Sequence, residues 1–211
     1  MASEDTKRRI LETAVDNFGR RGYEGTRLRE LIEAAGVNQA AVNYHFGSKE
    51  GLYRAILHEY AGTLRARRRE LLDAVLHDAG TGKPAVADVL RALIEPFFEM
   101  RETPGGEVIQ RFFEQFITER HEFIANLYRS ELKPTAELFI AALQRALPHV
   151  PRAAICRAYA WAVRLMAQGA GDVIFGVLSE PDEPSPPPFE VLFDFCVGGF
   201  ERLDLRYSRG G

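Results

Sequence analysis

Three neighbouring residues, Gln39, Ala40 and Asn43, have side chains suited to reading the edges of DNA bases. The carboxamides of Gln39 and Asn43 can each donate and accept a hydrogen bond, which matches the exposed edge of an adenine. Ala40 is small enough to contact the methyl group of a thymine. Arg27, further upstream, is another candidate for base contact. These residue types indicate sequence-specific DNA binding if one element presents them together.

The elements around these residues form a helix-turn-helix pattern. Four apolar residues recur at three- and four-residue steps and predict one face of a helix, namely Leu28, Leu31, Ile32 and Ala35. Gly36 supplies the left-handed conformation that ends this helix, and Asn38 can cap the next one. In that second helix Val42 and Phe46 are predicted to face the core, which leaves Gln39, Ala40, Asn43 and Tyr44 facing outward.

The segment 33–53, EAAGVNQAAVNYHFGSKEGLY, resembles the DNA-binding signature of the tetracycline-repressor (TetR) family. The likeness extends upstream through segments 9–14 and 18–23 and covers about a quarter of the chain. It implies that Tyr44, His45 and Lys49 contact the DNA backbone. Many relatives carry tyrosine where this chain has Asn43, so the operator of such a relative is not transferred to this protein.

Phosphate contacts fix the position of a protein on DNA, and the start of the first motif helix offers one. Thr26, with the free N–H groups of that helix, can hold a phosphate at the positive end of the helix dipole. The predicted DNA-binding set is Thr26, Arg27, Asn38, Gln39, Ala40, Asn43, Tyr44, His45 and Lys49. Structural alternatives exist for single members: Thr26 only caps, Tyr44 only packs, and His45 and Lys49 are solvated surface groups.

The rest of the chain is predicted to be helical, so the fold class is all-α. An apolar stripe over 10–18 marks a first helix that Gly22 ends, and Ser48 caps a long helix that continues to Val75. Further helices are predicted over 84–102, 106–119, 121–147, 152–178 and 189–204, with Pro134 kinking or splitting the third. Residues 1–50 then form a three-helix DNA-binding domain, and residues 51–211 form a helical domain for dimerisation and ligand sensing.

Charge and composition are compatible with this assignment. The chain has a formal net charge of −3, but residues 1–70 contain 13 Lys and Arg against 10 Asp and Glu. A locally basic face is sufficient to meet phosphates. Cys156 and Cys196 lie in apolar helical patterns and are predicted to be small buried residues. Without an apolar run long enough to span a bilayer, the chain is expected to be cytoplasmic, with no membrane contact.

A dimer is expected because two motifs can engage half-sites one helical turn, about 34 Å, apart. The last two helices offer small and apolar positions at helical spacing and predict a two-fold, four-helix interface. These positions are Ala158, Ala162, Leu165, Gly169, Val173 and Gly176 in one helix, and Phe189, Leu192, Phe193, Cys196, Val197 and Phe200 in the other. The alternative is that both faces belong to the core of the domain.

The resemblance also implies a small-molecule pocket in the C-terminal domain, whose ligand releases the protein from DNA. The predicted lining is Phe97, Met100, Phe113, Phe116, His121, Trp161, Arg164 and Gln168. Segments 38–52 and 141–151 also look like family members that respond to fatty acids or acyl thioesters. The predicted partners are therefore operator DNA, a second copy of the chain and a small apolar ligand such as a fatty acid or acyl thioester.

Enzyme and cofactor motifs are incomplete in this sequence. His121-Glu122 starts like a zinc-protease helix, but the second histidine position is Ala125. The segments 169–174 and 80–84 lack the residues of a dinucleotide loop and of a phosphate loop, respectively. We therefore predict a repressor that is not an enzyme and uses no metal or cofactor. Two alternatives stay open: a ligand-independent or protein-responsive DNA-binding regulator, and a helical adaptor that does not bind DNA.

Overall fold

The computed structural model describes residues 2–168, 177 and 187–208. Within these ranges the chain forms helices and turns and contains no strand, so the all-α prediction is confirmed. The helices are α1 (Ala2–Gly25), α2 (Leu28–Ala35), α3 (Gln39–Phe46), α4 (Lys49–Ala79), α5 (Val86–Arg101), α6 (Gly106–Thr118), α7 (Glu122–Leu127), a π-helical turn (Tyr128–Leu132), α8 (Lys133–Ala146), α9 (Arg152–Gln168) and α10 (Pro188–Ser208).

Local signals in the sequence determine where the first four helices break. Gly22 has φ 70° and ψ 178° and interrupts α1 three residues before its end. Gly36 adopts the left-handed conformation, with φ 61° and ψ 37°, and ends α2. The Ser48 hydroxyl accepts a hydrogen bond from the Gly51 N–H at 3.0 Å, which caps the start of α4. All three positions agree with the sequence predictions.

The predicted helix over 121–147 is divided into α7, the π-helical turn and α8. Pro134 lies in the first turn of α8 and has no N–H to donate to the carbonyl of Ser130, four residues earlier. The chain accommodates the proline by widening the preceding turn to π geometry and then starting a new helix. The prediction that Pro134 kinks or splits this helix is therefore confirmed.

The chain packs as two compact units, each with its own apolar core. The first unit contains residues 1–65 and 100–134, and the second contains residues 66–99 and 135–211. The core of the first unit includes Ile10, Phe18, Leu31, Tyr53, Ile56, Phe112 and Phe116, and that of the second includes Leu90, Ile94, Phe97, Phe139, Leu143, Ile155, Phe193 and Phe200. The sequence analysis divides a DNA-binding domain from a C-terminal domain after residue 50. This functional boundary differs from the division into two packing units and stays a prediction.

In the second unit, the predictions for the two cysteines and for the helix over 152–178 are confirmed only in part. Cys196 is buried as predicted, whereas Cys156 is only half-buried. Burial raises the pKa of the Cys196 thiol above its usual value. The C-terminal part of the predicted helix over 152–178 lies outside the described residues, apart from Val177. Among the helices described, none has the length and apolar character needed to cross a membrane.

Candidate nucleic-acid interface

Helix α3 presents its predicted base-reading residues to solvent. Gln39, Ala40, Asn43 and Tyr44 are all exposed, and Tyr44 retains 82% of its accessible surface. On the opposite side of the helix, Val42 is fully buried, whereas Phe46 is half-buried. The predicted outward and inward faces are thus confirmed, with Phe46 at the margin of the core. In the described part of the chain, the side-chain amides of Gln39 and Asn43 form no hydrogen bond with another protein group.

The turn before α3 is held by four hydrogen bonds. The N–H groups of Gly36 and Val37 donate to the carbonyls of Glu33 and Ile32 at 3.1 and 3.2 Å. The Asn38 side chain accepts from the Ala41 N–H at 2.8 Å, which caps α3 as predicted. Arg9, which sequence reasoning missed, donates from α1 to the Gly36 carbonyl at 3.4 Å. Together these bonds fix the angle at which α3 leaves the turn.

Arg27 and His45 offer two further groups near the motif. The Arg27 side chain is 82% exposed and lies 3.5 Å from the Glu30 carboxylate, an ion pair that DNA phosphate can replace at little cost. The His45 ring is half-buried, with ring centroids 5.0 Å from Tyr44 and 5.9 Å from Phe46. His45 therefore also positions its neighbours.

Lys49 lies at the first position of α4 and has a partner of its own. Its Nζ lies 4.4 Å from the centroid of the Tyr23 ring, an arrangement that attracts the ammonium group to the aromatic face. Partial burial lowers the pKa of Lys49, while the carboxylates of Glu24 and Glu119 act in the opposite direction. The half-buried ammonium group of Lys49 therefore packs on the Tyr23 ring and remains partly accessible to solvent.

Thr26 does not have the geometry of a phosphate contact. Its side chain is only 2% exposed, and its hydroxyl donates to the carbonyls of Gly22 at 2.8 Å and Asn17 at 3.2 Å. Because the hydroxyl proton is engaged inside the fold, the expected phosphate contact by this side chain does not fit the structure. The Thr26 hydroxyl instead ties the linker between α1 and α2 to the main chain of α1.

The eight residues predicted to line a ligand pocket are divided between the two units. Met100, Phe113, Phe116 and His121 belong to the first unit, and Phe97, Trp161, Arg164 and Gln168 belong to the second. Trp161, Arg164 and Gln168 are exposed, whereas a residue that lines an enclosed pocket is shielded from solvent. These three positions therefore do not fit the predicted lining.

The other five are already engaged within their units or lie at partly covered positions. Phe97, Phe113 and Phe116 are buried core residues, and Met100 is half-buried. His121 caps α7, because its Nδ1 accepts a hydrogen bond from the Phe123 N–H at 3.1 Å. Two surface clefts of about 510 and 480 Å³ lie within single units, and none of the eight residues lines either of them.

The arginines of segment 65–69 make contacts within the units. Arg65 pairs with Glu131 at 3.6 Å, and Arg67 pairs with Glu70 and Glu99 at 3.1 and 3.4 Å. Arg68 is buried and donates to the Leu93 carbonyl at 2.8 Å. The cluster thus stabilises helix packing.

Comparison with known proteins identifies the family. A model described as bacterial regulatory proteins of the tetR family matches residues 10–56. A second model, the tetracyclin repressor-like C-terminal domain, matches residues 91–199, which is just over half of the chain. The chain belongs to the TetR family. Regulators of the TetR family bind operator DNA through a helix-turn-helix and act as dimers.

Individual proteins with TetR-like sequences match part of this chain. The transcriptional regulatory protein RaaS of Mycobacterium tuberculosis is 32% identical over 131 residues, which are 61% of this chain and 60% of RaaS. The transcriptional repressor ComR of Escherichia coli is 32% identical over 96 residues, 46% of this chain and 44% of ComR. The chain therefore covers less than two thirds of either relative.

The chain is similar in fold to a solved transcriptional regulator. The crystal structure of the hemolysin II transcriptional regulator HlyIIR superimposes with a TM-score of 0.61, covering 97% of this chain and 98% of HlyIIR. The two sequences are 20% identical, so this likeness concerns the fold alone.

The last two helices of this TetR-family protein expose large apolar side chains. Trp161 and Leu165 lie four residues apart on α9, and Val191 and Phe195 lie four residues apart on α10. Trp161 is 61% exposed and Phe195 is 69% exposed. Each pair shares one face of its helix, as an interface between copies requires.

The predicted dimer positions on these helices are only partly exposed. Leu165 is exposed, whereas Ala162, Phe193, Cys196 and Phe200 are buried in the second unit, and the others described are half-buried. Gly169, Val173 and Gly176 lie outside the described residues. Most of the face predicted on α10 therefore packs inside the unit, and the exposed face of that helix includes Val191 and Phe195.

Proposed function

We propose that this TetR-family protein is a dimeric, sequence-specific repressor that reads its operator with Gln39, Ala40 and Asn43. The exposure of these residues on a helix anchored by the buried Val42 is the observation that carries the proposal. Exposed carboxamides on a rigid helix can form paired hydrogen bonds with a base edge in the major groove. The name of the relative ComR, a transcriptional repressor, supports repression as the outcome. Operator DNA as the partner also supports the expected cytoplasmic location.

The remaining exposed groups of the motif position the protein on DNA. We assign Tyr44, His45 and Lys49 to contacts with the DNA backbone, because donors to phosphate fix register without reading sequence. Arg27 stays a further candidate for base contact. Asn38 contributes through its cap on α3, whose side-chain oxygen is occupied by the Ala41 N–H. We assign no phosphate contact to the side chain of Thr26, since its hydroxyl is donated within the fold.

Two substitutions separate base reading from phosphate binding. Operator sequences are first selected from random duplex DNA with the wild-type protein. We expect Asn43→Ala to cost about 1–3 kcal/mol of specific binding while the salt dependence of binding stays unchanged. We expect Lys49→Ala to weaken binding to all sequences and to lower the salt slope by about one.

Lys83→Ala is the matched control, because it removes the same charge from a residue of the second unit. Binding constants are measured by fluorescence anisotropy at several salt concentrations. If the protein binds no duplex in a salt-dependent way, the helical adaptor is the correct alternative. If Asn43→Ala weakens specific and non-specific binding equally, Asn43 does not read bases.

The signal that relieves repression has two candidates. Release by a small apolar ligand, such as a fatty acid or acyl thioester, follows the precedent of the family. The exposure of Trp161, Arg164 and Gln168 favours the alternative, a ligand-independent or protein-responsive regulator whose C-terminal domain only dimerises. A gel shift on the selected operator with saturating long-chain fatty acid or its CoA thioester discriminates them, since only a ligand-released repressor loses its DNA under these conditions.

A further inference from the structure

The break in α1 releases main-chain groups that need new partners. At Gly22 the helix leaves its regular geometry, so the N–H groups that follow lose the carbonyls four residues earlier. The carboxylate of Glu119, at the end of α6, takes over this role. It accepts hydrogen bonds from the Tyr23 N–H at 2.8 and 3.0 Å and from the Glu24 N–H at 3.3 Å. Hydrogen bonds to an ionised acceptor are stronger than those between neutral groups.

The main chain of α1 lies directly against α6 at this break. A Cβ added to Gly22 would come within 2.6 Å of the Gln115 amide nitrogen and 3.0 Å of a Glu119 carboxylate oxygen. A Cβ added to Gly19 would meet the backbone nitrogen of Phe112 at 3.1 Å. Gly19 therefore permits a close approach between the backbones of α1 and α6, whereas Gly22 leaves room for the side chains of Gln115 and Glu119.

The residues after Glu119 extend this contact to the groups around the motif. His121 Nε2 lies 3.0 Å from the carboxylate of Glu24. The Tyr23 ring packs against His121 at a centroid distance of 5.2 Å and also against the ammonium group of Lys49. Segment 119–121 thus contacts the residues that precede α2 directly, and it is connected to Lys49 at the start of α4 through the Tyr23 ring.

We propose that Glu119 is a positioning residue for DNA binding, which holds the entry to the helix-turn-helix against the end of α6. Only two residues, Thr26 and Arg27, separate the end of α1 from α2, so the place of Tyr23 and Glu24 determines where the motif begins. Without the carboxylate, their N–H groups lose their acceptor and the break in α1 changes geometry. The inference rests on the proposed DNA-binding function and adds α6 to the parts of the chain that control it.

The sign of the effect distinguishes this role from simple electrostatics. Removing a negative charge from a DNA-binding protein on its own favours association with phosphates. A positioning role predicts the opposite for Glu119. We expect Glu119→Ala to weaken binding to the selected operator about tenfold and Glu119→Gln to weaken it less, because the amide oxygen still accepts one hydrogen bond. Glu122→Gln, an exposed residue of α7, removes the same charge and serves as the matched control.

Three measurements accompany the binding constants of these full-length variants. Non-specific binding to a scrambled duplex is expected to stay unchanged or to increase, whereas partial unfolding would lower specific and non-specific binding together. Hydrogen exchange at the Tyr23 and Glu24 amides is expected to accelerate in both Glu119 variants and not in Glu122→Gln. Circular dichroism at the binding temperature checks folding, and if Glu119→Ala is unfolded, Glu119→Gln decides.

The proposal is overturned if the Glu119 variants bind the operator with an affinity equal to or higher than that of Glu122→Gln. The Asn43→Ala variant shows whether a negative result concerns only the role of Glu119 or also the proposed DNA-binding function. If Asn43→Ala loses specific binding while the Glu119 variants do not, the DNA-binding assignment stands and the positioning role fails. If the wild-type protein binds no duplex, the DNA-binding assignment itself fails.

Discussion

Small polar side chains complete the main-chain hydrogen bonding at the start of the helix-turn-helix. Asn38 accepts from the Ala41 N–H and starts α3, while Thr26 donates to the carbonyls of Gly22 and Asn17. Both residues have the side chain of a helix cap, yet only Asn38 caps. Residue type alone therefore does not tell whether a threonine at such a position faces DNA or the core.

Substitution of Thr26 tests this assignment. Thr26→Val keeps the shape and removes the hydroxyl, so we expect the free energy of unfolding to fall by about 1–3 kcal/mol because two carbonyls lose a donor. Thr26→Ser retains the hydroxyl and is expected to lose less. Urea unfolding measures both, and the salt slope of operator binding is expected to stay unchanged. A slope reduced by about one in Thr26→Val would restore the phosphate contact predicted from the sequence.

At the level of elements, the breaks that local chemistry controls were predictable. Gly22, Gly36 and Pro134 each change the backbone within a few residues of themselves, and the structure breaks its helices at these positions. The outward face of α3 was predictable for the same reason, since a buried residue such as Val42 fixes the orientation of its neighbours.

The rest of the site depends on contacts between distant parts of the chain. Glu119 bonds to Tyr23 across 96 residues, and no spacing in the sequence connects a carboxylate in one helix with a break in another. The sequence likewise did not predict that Trp161 is exposed, because an aromatic residue satisfies the same helical pattern in a core or at an interface between copies. The DNA contacts themselves stay predictions.

The turn between α2 and α3 gives a test at this scale. A Cβ added to Gly36 would meet no atom within 4 Å, so any cost of Gly36→Ala comes from the left-handed backbone alone. We expect a loss of about 1–2 kcal/mol in the free energy of unfolding. Gly62→Ala, inside α4 and with room for a Cβ, is the control and is expected to gain up to about 1 kcal/mol. Equal melting temperatures for the two variants would contradict this account.

At the level of the whole molecule, the exposed apolar side chains of α9 and α10 indicate where two copies meet. Trp161, Leu165, Val191 and Phe195 cover one face of each helix, and large exposed apolar residues grouped in this way mark interaction surfaces. A two-fold dimer uses the same surface on both copies, so each substitution removes its contacts at two places in the interface. The dimer is also what allows two recognition helices to engage one operator.

Charged substitutions at these positions test the interface. We expect Trp161→Asp and Phe195→Asp each to raise the dimer dissociation constant by about a thousandfold, because a buried aromatic anchor worth about 2 kcal/mol is lost on both copies. Analytical ultracentrifugation over a concentration series measures this change. Ala141→Asp introduces the same charge at an exposed site on α8 and is expected to leave the dimer intact. A dimer that survives both aromatic substitutions places the interface elsewhere.

The recognition residues of α3 and the exposed apolar faces of α9 and α10 belong to different units, with a genetic consequence. A subunit with a distorted motif, such as one carrying valine in place of Gly36, is expected to keep the apolar surface that we propose for dimerisation. In a cell that expresses both alleles, we expect the altered copies to combine with normal ones into heterodimers, in which only one helix-turn-helix can bind the operator. The mutant allele is then dominant over the wild type, whereas a second substitution at Trp161 makes it recessive again.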